Sequence, residues 1–121
     1  MFKIKKDIEK NRLYITINGI LSISEAKLAR NMLLKEVDEL KPNFDLINDI
    51  SQFIRGQEEA GEVLKEIMTV MIEKKANRVI RVVGASKIGL LQFANYSLPI
   101  QAYKLSYVPT MAEAEKLLDQ K

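Results

Sequence analysis

The residues of this 121-residue chain that could do chemistry cluster where an apolar strand gives way to a helix. Asp49 closes the run Phe44 to Ile50, and Glu58 and Glu59 follow it. Two carboxylates can divide acid and base roles when their surroundings push their pKa values apart. Asp49 with Glu58 or Glu59 is the pair this edge offers, and no metal-ligand cluster joins them. A strand-end aspartate also has a simpler task, which is to accept N–H groups of the loop it opens, here Ser51 to Gly56. The second candidate is GASKIG, residues 84–89. A strand-to-helix turn can aim backbone N–H groups at an anion, with Ser86 and Lys87 beside it. The stretch lacks both G-x-x-x-x-G-K-[ST] and G-x-G-x-x-G, so no nucleotide cofactor is expected. The simpler role there is a turn relaxed by Gly84 and a helix capped by Ser86.

Other chemistry is excluded by composition. Cysteine and histidine are both absent. That removes disulfides, Cys/His zinc sites, and Ser-His or Cys-His nucleophile pairs. No metal or cofactor is expected. Net charge is +3, from 19 basic and 16 acidic residues. A nucleic-acid surface calls for a denser basic stripe, so nucleic acid is not an expected partner. Lys3, Lys5, Lys6, Lys10 and Arg12 crowd the N-terminus. Lysines there would protect a sheet edge from pairing with other chains. No run approaches the roughly 20 apolar residues that span a bilayer. MFKIKKDIEK lacks the apolar core of a secretory signal. A soluble cytoplasmic protein is expected, in one domain over 1–121, with no linker or repeat.

The elements that must position these residues follow from periodicity. Phe2 to Ile8 alternates loosely, and Leu13 to Asn18 alternates cleanly on Leu13, Ile15 and Ile17, predicting a hairpin across EKNR. Ser22 with Glu25 has capping-box spacing and opens a helix from Ile23 to Leu40, stopped by Lys41-Pro42. Its core stripe is Ala26, Ala29, Leu33, Val37 and Leu40. Phe44 to Ile50 is nearly all apolar, as a central strand should be. A second helix runs from Gln57 to Lys75 on Ala60, Val63, Leu64, Ile67, Met68 and Met71. Arg78 to Val83 is a buried strand, and a third helix follows from Ser86 to Tyr96. Gln101 to Tyr107 is the last strand. Thr110 with Glu113 caps a final helix, Met111 to Asp119. The order β-β-α-β-α-β-α-β-α predicts an α/β fold of three layers. Its sheet is mixed, mainly parallel, of about five strands, with four helices on it.

The helix faces suggest uses. Glu58, Glu62, Lys65, Glu66, Thr69 and Glu73 share the outer face of the second helix. Glutamates four apart repel by about a few tenths of a kcal/mol, which a basic partner would relieve. Leu28 and Met32 point off the first helix's stripe. Packing against a neighbouring helix is the simplest account, and a homodimer contact or apolar ligand patch is the other. The third helix is apolar almost all round, which predicts core burial or a lid. As a lid, Phe93 and Tyr96 would close over Met68 and Met71, and the pocket would take a lipid or other apolar small molecule.

This order resembles the STAS domain, or anti-sigma-factor antagonist (SpoIIAA-like) fold, over nearly the whole chain. The resemblance is carried by the hairpin ending near Gly19, the capped helix at SISEA, Asp49-Ile50-Ser51 after a strand, the helix start near Gly56, the strand RVIRVVG, and the terminal strand and helix. It implies a non-enzymatic regulatory module that binds a protein through the loop and helix start. On this chain those are Asp49, Ser51, Arg55, Gly56, Gln57, Glu58 and Glu62. The SpoIIAA-like group is also classed with lipid-binding Sec14-type domains, which is the source of the carrier alternative. The family's loop reads roughly Asp-Ser-Ser-Gly and its serine is phosphorylated. Here Ile54-Arg55-Gly56-Gln57-Glu58-Glu59 stands in that place, with no hydroxyl. Glu58 or Glu59 would instead put fixed negative charge near the helix dipole's positive end, as an ordinary first-turn glutamate or as a mimic of the phosphorylated state.

Overall fold

Leu13, Ile15 and Ile17 alternate with Tyr14 and Thr16, and that alternation decides which side of the second strand is buried. In a computed structural model, which describes residues 1–57, 59–84 and 104–120, all three are 4% exposed or less. Strand β1 (Phe2–Asp7) pairs antiparallel with β2 (Arg12–Ile17). The turn between them places Asn11 at φ 53°, a left-handed conformation that asparagine tolerates better than most residues. Three further strands join in parallel: β4 (Asp45–Asp49), β6 (Arg78–Val82) and β7 (Lys104–Val108). The sheet order is β1-β2-β4-β6-β7.

Helix α1 (Ile23–Val37) begins at the expected cap, where Ser22 Oγ accepts from the Glu25 N–H at 3.1 Å. Helix α2 (Ala60–Glu73) carries the expected stripe, and every one of its six residues is buried. Both helices pack on the face of Leu13, Ile15, Leu46 and Val79. Helix α3 (Met111–Asp119), capped by Thr110, packs on the opposite face against Ile47, Ile80 and Val82. The sheet therefore lies between two helical layers. The residues of the apolar third helix, 86–96, lie outside the described residues, so three helices are described. No helix among the described residues is long and apolar enough to cross a membrane.

Two strands escaped the sequence reading. β3 (Gly19–Leu21) and β5 (Phe53–Gly56) form a separate parallel pair. β3 directly continues β2, and β5 follows β4 after a tight turn. Gly19, at φ 69°, makes the bend that lets the chain leave the main sheet and pair again. This second sheet also explains why α2 starts later than expected. The Gln57 N–H bonds to Leu21 O at 2.9 Å, which extends the strand pairing instead of opening a helix. α1 ends at Val37 because tighter turns follow, from Glu39 N to Glu36 O and from Leu40 N to Val37 O.

Helix α3 is held by charge as well as by apolar contact. Arg12, counted in the sequence with the edge lysines, is instead buried at 3% exposure. Its Nη1 donates to Glu115 and its Nη2 to Asp119, both at 3.0 Å. Burial works against the Arg12 charge, but hydrogen bonds with Asp119, Tyr14 and Glu115 outweigh it and raise its pKa. Arg78 grips Asp45 through two bonds, 3.1 and 2.8 Å, and donates to Leu118 O at the end of α3.

Lys75 occupies the position after α2 at φ 68°. The Ala76 N–H returns to Met71 O and the Lys75 N–H to Ile72 O, the paired bonds of a helix stop that usually employs glycine. Lys75→Gly is expected to stabilise the fold by about 1 kcal/mol by removing Cβ strain. Urea unfolding measures it, and an unchanged or lower midpoint at constant slope would refute the assignment of strain.

Candidate functional site

Parallel strands deliver their carboxyl ends to one edge, and ligand sites of open α/β sheets lie there. At this edge Asp49 ends β4 half-exposed. Its Oδ1 accepts from the Ser51 N–H at 3.0 Å and from the Ser51 hydroxyl at 2.7 Å. Asp49 thus has the loop-organising role, with its carboxylate committed to the turn that follows. Glu59 stands exposed ahead of α2 and makes no cap bond, and Glu58 lies outside the described residues. Among the described residues no group of three or more Asp or Glu is placed to hold a metal ion.

Ser51 is wedged against Gly84, which follows β6. Gly84 has φ 53°, and a Cβ built on it would lie 2.8 Å from Ser51 Cβ. Gly84 N–H bonds to Pro109 O at 3.2 Å, and Val83 N–H to Val108 O at 2.9 Å. The exits of β4, β6 and β7 are therefore tied to one another. Ser86 and Lys87, expected as an anion site just beyond, lie outside the described residues.

β5 then turns the expected loop into ordered backbone. Phe53 and Gly56 are buried, and Ile54 and Arg55 are exposed. Gln57 Oε1 accepts from the Ile23 N–H at 3.0 Å, which satisfies a first-turn donor of α1. Gly56 and Gln57, expected to meet a partner, thus belong mainly to the framework. Arg55 and Glu62 remain outward-facing. Ile54, 57% exposed, is a further surface residue, on a strand where the sequence pattern predicts a loop from Ser51 to Gly56. The Phe-Ile pair inside it was the available signal, since both residues favour strands.

The acidic face of α2 is less unbalanced than expected. Glu66 accepts from Arg30 of α1 at 2.7 Å, and Glu62 lies 3.7 Å from Lys65. Leu28 and Met32 are surface residues. They are 54% and 40% exposed, because the buried stripe of Ala26, Ala29, Leu33 and Val37 takes the opposite side of α1. Met68 and Met71 are core residues. The void that Met68 lines with Asn48 and Leu64 measures about 20 Å³, room for roughly one water and none for a lipid. Phe93 and Tyr96, the other half of that expected pocket, lie outside the described residues.

No known family pattern matches the sequence, and no curated protein matches it. The fold does match solved structures. An uncharacterized protein of the DUF3478 family with a SpoIIAA-like fold, from Shewanella loihica PV-4, superposes with a TM-score of 0.73 at 14% identity. That match covers 98% of this chain and 92% of the other. The anti-sigma factor antagonist SpoIIAA in its unphosphorylated form gives 0.68 at 11% identity, with full coverage of both chains. The chain thus has the SpoIIAA-like fold that its sequence resembles.

Gly84→Ala tests the packing of this edge. The added methyl collides with Ser51 and meets a positive φ, so a loss of about 1–3 kcal/mol is expected. Thermal unfolding reads it. A variant as stable as the parent would show that Ser51 and Gly84 are not in contact.

Proposed function

We propose that this chain is a single non-enzymatic, cytoplasmic regulatory module that binds a protein partner through the surface from Asp49 to Glu62. One observation carries the reading. The polar groups of Asp49, Ser51 and Gln57 are spent on holding the backbone, while Ile54, Arg55, Glu59 and Glu62 are displayed outward on it. A preorganised frame with an exposed apolar residue and mixed charges suits recognition better than catalysis, because little ordering cost remains on binding. The likeness in fold to an anti-sigma factor antagonist supports the same use.

The surface would act without a phosphoswitch. The start of α2 has no hydroxyl, and β5 separates it from Ser51. The Ser51 hydroxyl already donates to Asp49. A phosphate there would set about −1.5 to −2 charges against that carboxylate. Glu59 and Glu62 supply permanent negative charge at the helix start instead. The protein is then a constitutive binder, governed by its abundance or by a ligand.

The variant Ile54→Ser/Arg55→Glu/Glu62→Lys leaves the frame intact and is expected to lose the partners that the parent captures from its own cells. Circular dichroism should match the parent. Identical partner lists from the two baits would remove the proposal.

The intact mass of protein isolated from those cells is expected to match the sequence in every growth condition. A species heavier by about 80 Da, one phosphate, mapping to Ser51 would overturn the constitutive reading.

A further inference from the structure

Helix α3 covers only part of its face of the sheet. It lies over β4, β6 and β7 and is reached from β2 by the side chains of Arg12 and Tyr14, and among the described residues the outer part of that face, on β1 and β2, is left as a trough of about 230 Å³. Lys3 and Lys5 of β1 and Tyr14 and Thr16 of β2 form the sheet side, and Met111 and Glu115 of α3 form the wall.

The lysines here differ from their neighbours. Strand alternation sends Lys3 and Lys5 to this face and Lys6 to the other. Lys6 pairs with Glu36 of α1 and with Glu39 in the turn after it, and Lys10 and Arg12 pair with carboxylates of α3. Lys3 and Lys5 make no ion pair among the described residues. Lys5 Nζ stands 5.3 Å from the centre of the Tyr14 ring, a cation–π contact that keeps its charge over the trough. The carboxylate in the wall does not cancel these charges. Glu115 accepts from Arg12 Nη1 at 3.0 Å and from the Tyr14 hydroxyl at 2.6 Å, so its charge is already offset. Two ammonium groups then face the trough on flexible stems that can converge on one anion.

The walls select among anions. The edge of the Tyr14 ring and the Met111 thioether are apolar and would meet an organic body. Thr16 adds a neutral hydroxyl. We infer that this trough is a binding site for a small organic phosphate monoester, its phosphate between Lys3 and Lys5 and its body against Tyr14 and Met111. Its floor reaches the proposed partner edge, because Thr16 pairs in register with Asp49. The site stands on its own residues, whether or not that edge binds a protein.

The test uses the whole chain with phenyl phosphate, inorganic phosphate and vesicles containing phosphatidic acid, read by NMR amide shifts and titration. Phenyl phosphate should shift Lys3, Lys5, Thr16 and Met111 and bind more tightly than inorganic phosphate. Lys3→Ser/Lys5→Ser should weaken it by about tenfold or more. The charge-matched control Lys27→Ser/Lys35→Ser on α1 should bind as the parent does. Binding to phenyl phosphate alone assigns a free ester, and binding to the vesicles as well assigns a lipid headgroup with the same chemistry. Shifts scattered over the lysines of the whole surface, or equal losses in the two double variants, would overturn the site. So would inorganic phosphate binding as tightly as the ester.

Discussion

Burial of β4 on both faces is the constraint on which the rest depends. Leu46 faces α1 and α2, Ile47 faces α3, and both are fully buried. Each such side chain contributes about 1.5–3 kcal/mol relative to exposure, but only when helices cover both sides. A strand of this kind cannot lie at an edge, so β2 and β6 must flank it. Parallel neighbours need long crossovers, and α1 and α2 provide two of them on the same face. Among the described residues the opposite face is covered by α3, which follows the last strand.

That closure is electrostatically demanding. α3 is nine residues long and buries only Ala114 and Leu118. So short a helix is marginal without tertiary support. Arg12 supplies it through two bonds to the helix's own carboxylates, Glu115 and Asp119, and Arg78, held by Asp45 of β4, adds one bond to Leu118 O. The desolvation cost of a buried arginine is met only because several acceptors converge on it. The same arrangement settles the charge of Glu115, so the wall of the neighbouring trough repels an anion less than its composition suggests.

Much of the fold was legible because its signals are local and strong. The caps at Ser22 and Thr110, the stripe of α2 and the apolar run of β4 each announce an element from its own residues. β3 and β5 were not legible. They are too short to show alternation, and their pairing depends on β2 and β4 already lying side by side. The burial of Arg12 was hidden for a similar reason, since its acceptors lie at the far end of the chain. At the site, the bond from Asp49 to its own loop could be read from spacing. The role of Gln57 could not, because its amide oxygen serves a helix that begins at Ile23. What Leu28 and Met32 meet was not legible, because a helix wheel shows which residues leave the stripe and only the neighbours show what they then face.

These non-local pairings explain why the carboxyl edge is suited to recognition. β2 and β4 lie in register, so their continuations β3 and β5 emerge together and pair again. The pairing leaves the N–H of Gln57 on Leu21 and its side chain on α1, which ties the start of one helix to the approach of the next. Nearby, Ser51 is tied to Asp49, packs against Gly84 and is joined through it to the end of β7. Every strand exit in this edge is thus held by a different element of the chain. A loop built this way has few conformations to lose, and the few side chains it does not need for itself are the ones left facing out.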